Sequence, residues 1–163
     1  MEQKLILITG SPCVGKTLIG QKLYEKFNNS AYLDGDWVWK VNPFSIEDPR
    51  LRDGDKNMSF VLSTYLNSKF EYVFFSSVIT INEKIRKNIL RGITVKNYQT
   101  IVFHLKCSEE TLLKRFTKRG DKNEISYFWL RLKPLSDDIV INTDNKTPSQ
   151  ICNEMIKIIE RGV

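Results

Sequence analysis

A chain of 163 residues has room for one domain, 1–163, that buries about two-thirds of the surface its unfolded form exposes. With 41% hydrophobic and 27% charged residues it has the make-up of a folded globular protein rather than a disordered one, and no stretch approaches the roughly 18 apolar residues of a membrane span. The net charge of +6 suits a polyanionic small ligand as well as nucleic acid, and the basic residues are spread along the chain with only modest concentrations at 84–91 and 114–122, so no nucleic-acid partner and no membrane are expected.

Cys13, Cys107 and Cys152 are odd in number, far apart and lack CxxC spacing. That argues against a disulfide framework or a zinc site and suits a reducing cytoplasm, the expected location. The lone histidine, His104, removes most metal-hydrolase and Ser-His-Asp readings, and its place in an apolar run marks a core residue. The apolar run Leu5–Ile8 is too short for a secretion signal, so folding and function are expected to begin at the first residues.

In chain order, Lys4–Thr9 is a continuous apolar run, as expected of a strand buried on both faces. A glycine-punctuated loop follows, then a helix over Lys16–Phe27 with Leu18, Ile19, Leu23 and Phe27 at helical spacing. Ala31–Leu33 is a short strand ending in Asp34-Gly35-Asp36. An irregular aromatic stretch, Trp37–Pro49, leads to a helix from Lys56 to Leu66. Further strands are expected at Tyr72–Val78, Thr100–Leu105 and Ile139–Asn142, and helices at Asn82–Leu90, from a Ser108 cap to Lys118, near 128–133, and from Thr147-Pro148 onward. Strands alternating with helices imply an α/β fold of three layers with a parallel sheet.

Gly10-Ser11-Pro12-Cys13-Val14-Gly15-Lys16-Thr17 fits GxxxxGK[ST], after a strand and before a helix, the context a P-loop requires. The glycines let the backbone approach a phosphate, its N–H groups form an anion nest, and the helix that carries Leu18 points its positive dipole end at the same place. Lys16 should bridge the β- and γ-phosphates of ATP, with GTP an open alternative, and the Thr17 hydroxyl should ligate Mg²⁺. Cys13 reads as a small loop residue, with a redox-sensitive thiolate as the alternative. Asp34 and Asp36 end the second strand, on the same crevice; one acid can hold magnesium through water while the other orients an attacking hydroxyl or takes its proton, whereas an Asp-Gly turn is the plainer alternative.

With these motifs the sequence resembles the P-loop small-molecule kinases, a group that includes shikimate, gluconate and adenylylsulfate kinases, nucleotide kinases and antibiotic-resistance relatives. The resemblance rests on GSPCVGKT at 10–17, LDGD at 33–36, LLKRFTKRG at 112–120 and IVINTDNKTPSQI at 139–151, of which the first is highly specific. It implies the P-loop NTPase fold with five parallel strands in the order 2-3-1-4-5, a lid over about 119–127 and an acceptor-binding region over about 37–68. It also implies Asp34 as an outer-sphere magnesium partner, Asp36 as base or orienting residue, Arg115 against the adenine or phosphates, and Arg119 on the transferred phosphoryl group. Lys16, Asp36, Arg115 and Arg119 are thus the catalytic candidates.

In the acceptor region Trp37 or Trp39 could stack on a ring, and Arg50, Arg52 and Arg86 could grip an anion. The sequence departs from the family at Phe75-Ser76-Ser77-Val78, which offers no strand-three carboxylate; Ser76 or Ser77 could hold the metal-bound water or the acceptor there. The reading that follows is a kinase of Mg-ATP and a small-molecule acceptor, with a hydroxyl preferred because Asp36 otherwise lacks a task. A nucleoside or nucleotide kinase, or an ATPase or resistance module without transfer, stand as alternatives, and a monomer or homodimer is expected.

Overall fold

The computed structural model describes residues 2–120 and 124–162. Residues 121–123, inside the segment expected to form a lid, lie outside that description. Five strands, β1 (Gln3–Gly10), β2 (Ser30–Asp34), β3 (Tyr72–Ser76), β4 (Tyr98–Lys106) and β5 (Ile139–Asn142), pair in parallel in the order β2-β3-β1-β4-β5. This is the order the resemblance implied.

The helices are α1 (Lys16–Tyr24), α2 (Asp53–Asn67), α3 (Glu83–Arg91), α4 (Glu109–Arg119), the short α5 (Phe128–Arg131) and α6 (Pro148–Arg161). β1 is apolar at successive positions because both its faces are covered. Ile6 and Ile8 pack with Ile19 and Leu23 of α1 and Met155 and Ile159 of α6, while Leu5 and Leu7 pack with Leu62 and Leu66 of α2 and Ile89 of α3. Side chains alternate across a strand, so a run buried on two sides cannot alternate in polarity.

Among the boundaries that differ from expectation, three have local reasons. α1 ends at Tyr24, not Phe27, because the chain tightens: Lys26 N donates to Leu23 O and Phe27 N to Tyr24 O. Phe27 then turns inward against Tyr72 and Phe74, with ring centroids 4.5 and 5.5 Å away. α2 starts earlier, at Asp53, since a 3-10 turn over Pro49–Arg52 runs into it and Asp53 and Asp55 favour its first turn. β3 stops at Ser76, after which Ser77 N bonds Ile8 O and the chain turns away.

The caps expected from sequence are present. The Ser108 hydroxyl accepts from Thr111 N at the start of α4, and Thr147 with Gln150 forms a capping box before Pro148 of α6. No helix among the described residues is long and apolar enough to cross a membrane.

Candidate functional site

The loop from β1 to α1 is built from residues held at positive φ: Gly10 at 139°, Cys13 at 64° and Gly15 at 110°. A side chain at Gly10 would meet Leu105 O at 2.6 Å, so both backbone shape and space demand glycine there. Gly15 caps α1 with no side chain to occupy the first N–H groups of the helix, which leaves a positive end facing the crevice. Lys16 curls over the loop, its Nζ donating to Ser11 O at 2.8 Å. Desolvation lowers the Lys16 pKa to about 8, and the charges of Asp36 and Asp34 oppose the shift without cancelling it.

Asp34 is the hub on the opposite wall. One of its carboxylate oxygens, Oδ2, accepts from Thr17 Oγ1 at 2.7 Å, from Tyr32 OH at 3.3 Å and from Ser76 Oγ at 3.3 Å. The other accepts from the Asp36 backbone N–H at 3.0 Å. Tyr32 and Ser76 are themselves 2.7 Å apart, and burial pushes the Tyr32 pKa further up, so its hydroxyl keeps its proton. Tyr32 lies two residues before Asp34 on one strand face, and Ser76 stands opposite Asp34 in the β2–β3 register. Sequence reasoning missed Tyr32 altogether and left Ser76 as a choice against Ser77. The period of two marks Tyr32, but Ser76 follows only from the register.

Lys16, Thr17, Asp34, Asp36, Ser77 and Arg119 line one cavity of about 430 Å³, together with Pro12, Cys13, Gly15, Leu18 and Ser76. Asp36 is pushed above the usual carboxylate range, first by desolvation and next by the neighbouring Asp34 charge, while Lys16, Arg119 and Lys40 pull it back. Arg119 reaches the loop from the end of α4, with Nη1 3.6 Å from Cys13 Sγ. Arg115 grips the structure instead of the cavity: it donates to Val14 O at 3.0 Å, to Thr143 Oγ1 at 2.9 Å and to Thr143 O at 3.0 Å, bracing the loop against the end of β5.

Three acceptor-binding expectations meet a different placement. Arg86 is 3% exposed and does not line the cavity; its guanidinium holds Asp138 at 2.6 Å and Thr80 O at 2.7 Å. Burial would raise the Asp138 pKa, but hydrogen bonds from His104, Arg86 and the Leu135 amide outweigh it and hold it at about 2. Arg52 lies 3.3 Å from Asp55 and faces a separate cavity of about 590 Å³ between α2 and α3 that holds none of the phosphate-loop residues. The Arg86 fork is closed on Asp138, whereas Arg52 makes only an ion pair with Asp55, without a hydrogen bond at its Nη1. Trp37, also expected at the acceptor, is 52% exposed with its ring edge-on to Tyr32 and does not line the phosphate-loop cavity.

The site's oxygen donors fit magnesium. Thr17 and Asp34 offer hard oxygen ligands 2.7 Å apart, the kind of donor Mg²⁺ takes when phosphates and water complete its shell.

A family model described as an AAA domain matches residues 6–131. No curated protein sequence matches the chain. Solved structures share its fold at low identity. The tunicamycin resistance protein of Deinococcus radiodurans is 16% identical with a TM-score of 0.74, covering 99% of this chain and 97% of that one. A gluconokinase from Sinorhizobium meliloti 1021 is 15% identical with a TM-score of 0.69 over 98% of this chain and 92% of its own. The Mycobacterium tuberculosis APS kinase CysC, in complex with AMPPNP and APS, is 17% identical with a TM-score of 0.68 over 98% of each chain.

Proposed function

This chain belongs to the AAA-domain family of P-loop proteins, and from that premise we propose that it is a kinase that transfers the γ-phosphoryl group of ATP to a hydroxyl of a small molecule. The observation that carries the reading is the convergence of Lys16, the Thr17–Asp34 pair, Asp36 and Arg119 on one cavity. The kinases among its structural neighbours, one of them bound to AMPPNP, support the same reaction class and ATP as donor.

In this reading residues 10–18 cradle the triphosphate, and Lys16 neutralises charge between its β- and γ-groups. Arg115 stiffens the loop from outside the cavity. Thr17 and Asp34 would hold Mg²⁺, which when bound would draw charge from the phosphate oxygens. Tyr32, Ser76 and the Asp36 amide keep the Asp34 carboxylate in one orientation. Asp36 faces the acceptor. Its raised pKa makes it a better proton acceptor than an ordinary carboxylate, and it orients the attacking hydroxyl and receives its proton. Arg119 closes on the phosphoryl group as charge develops. The setting is the cytoplasm.

Asp36→Asn tests this assignment. Nucleotide affinity should stay within about twofold while turnover falls by about 10²-fold or more. Wild-type turnover in that variant would reduce Asp36 to a turn residue and sink the proposal.

A further inference from the structure

Beyond Asp36 the crevice opens into a second recess of about 530 Å³, walled by Trp39, Lys40, Val41, Asn42 and Phe44. Asp36 lines both spaces, so they meet at the carboxylate assigned to the acceptor hydroxyl. Three of its walls, Trp39, Val41 and Phe44, are apolar and partly open to solvent: Phe44 is 60% exposed and Val41 40%. Large apolar side chains gathered at a concave surface mark a site for an apolar ligand.

The charges narrow the ligand further. Among the described residues lining the recess, Lys40 is the one cation. The arginines of this region that a phosphate or a dicarboxylate would need do not line the recess: Arg86 is buried on Asp138 at 2.6 Å, Arg52 lines the separate cavity between α2 and α3, 3.3 Å from Asp55, and Arg50 pairs with Asp48 at 2.8 Å on the exposed surface. A dianion entering here would meet a single flexible ammonium and the negative Asp36, without the planar fork that binds such groups well.

Resting on the kinase reading above, we propose that the acceptor is an alcohol with an aromatic or comparably apolar body and no more than one negative charge. The body lies on Trp39 and Phe44, a carboxylate where present faces Lys40, and the hydroxyl reaches Asp36. In the transfer its oxygen bonds to the γ-phosphorus as the bond to the β,γ-bridging oxygen breaks. The bonding pair leaves with ADP, and the hydroxyl proton passes to Asp36 and then to solvent.

The test takes 3-phenyllactate and 2-phenylethanol as ring-bearing probes, and gluconate and ribose 5-phosphate as polyhydroxylated and phosphorylated ones. Phosphorylated product is measured by mass spectrometry with Mg-ATP, and probe binding by calorimetry on protein loaded with Mg-ADP. The ring-bearing probes should bind and be phosphorylated in preference. Phe44→Ala and Trp39→Ala should raise their KM by about tenfold with kcat less affected, because each removes an apolar contact common to ground and transition states. Phe44 is the safer variant, being exposed, and retained thermal stabilisation by Mg-ATP confirms its fold. Product from gluconate or ribose 5-phosphate, with no binding of the ring probes and no effect of Phe44→Ala, would overturn the inference and leave the kinase standing. Ring-probe binding without product from any probe would support the recess and sink the kinase reading; neither binding nor product would overturn both.

Discussion

Lys16 has its pKa lowered to about 8 by desolvation, so the free protein loses this charge well below the range of an ordinary lysine. A bound triphosphate would restore the ammonium, since opposite charge favours the ionised form. Nucleotide binding must then take up a proton as pH rises through about 8, and affinity falls progressively across that window, approaching about tenfold per pH unit only above it. The charged fraction of the free protein drops from about nine-tenths near pH 7 to about one-tenth near pH 9, which predicts an affinity loss of about tenfold, or about 1.4 kcal/mol. Calorimetric titration with Mg-ATP at fixed ionic strength and free magnesium measures it. Lys16→Arg provides the comparison, because a guanidinium stays charged throughout and should give a nearly flat profile whatever its absolute affinity. Equal wild-type affinity near pH 7 and pH 9, or the same decline in Lys16→Arg, would refute the link between this lysine and the phosphates. The same lowered pKa makes the folded protein bind fewer protons than the unfolded chain between about 8 and 10.5, so Lys16 contributes stability that rises with pH there.

Other perturbations test the supports of the site. Tyr32→Phe removes a hydroxyl that bonds Asp34 and lies 2.7 Å from Ser76; the magnesium concentration for half-maximal activity should rise several-fold while magnesium-free nucleotide binding stays put, and an unchanged magnesium titration would dismiss the hub. Asp138→Asn leaves the buried Arg86 guanidinium with only the exposed Asp137 carboxylate at 3.7 Å as counter-charge, at a cost of about 3 kcal/mol in urea unfolding; a loss below about 1 kcal/mol would mean the pair is solvated. With the Asp138 carboxyl held at about 2, its contribution is present above about pH 4 and fades as pH falls toward 2, a loss that Asp138→Asn should abolish. Gly20→Ala places a methyl 2.5 Å from the Tyr32 ring, so despite better helix propensity it should destabilise by about 1–3 kcal/mol; a stabilised variant would show that the ring yields freely.

Lys4–Thr9, the loop to Thr17 and the helix after it were legible because their information is local. A strand buried on both faces needs a continuous apolar run, and a phosphate loop needs glycine where φ is positive and a lysine at the helix start. The strand order came from the resemblance, and Asp34 and Asp36 were visible because a strand end in a parallel sheet faces the crevice. The uses of the arginines were not legible. A guanidinium reaches across the fold to whatever carboxylate the packing supplies, and Arg86 meets Asp138 from 52 residues away. Tyr32 and Ser76 meet over Asp34 because of the β2–β3 register, a long-range pairing that no spacing along the chain encodes. The local pattern therefore determined the phosphate loop and its chemistry. Tertiary structure decided which polar groups hold Asp34 and which arginines stay engaged elsewhere, because those partners become neighbours only when the sheet assembles.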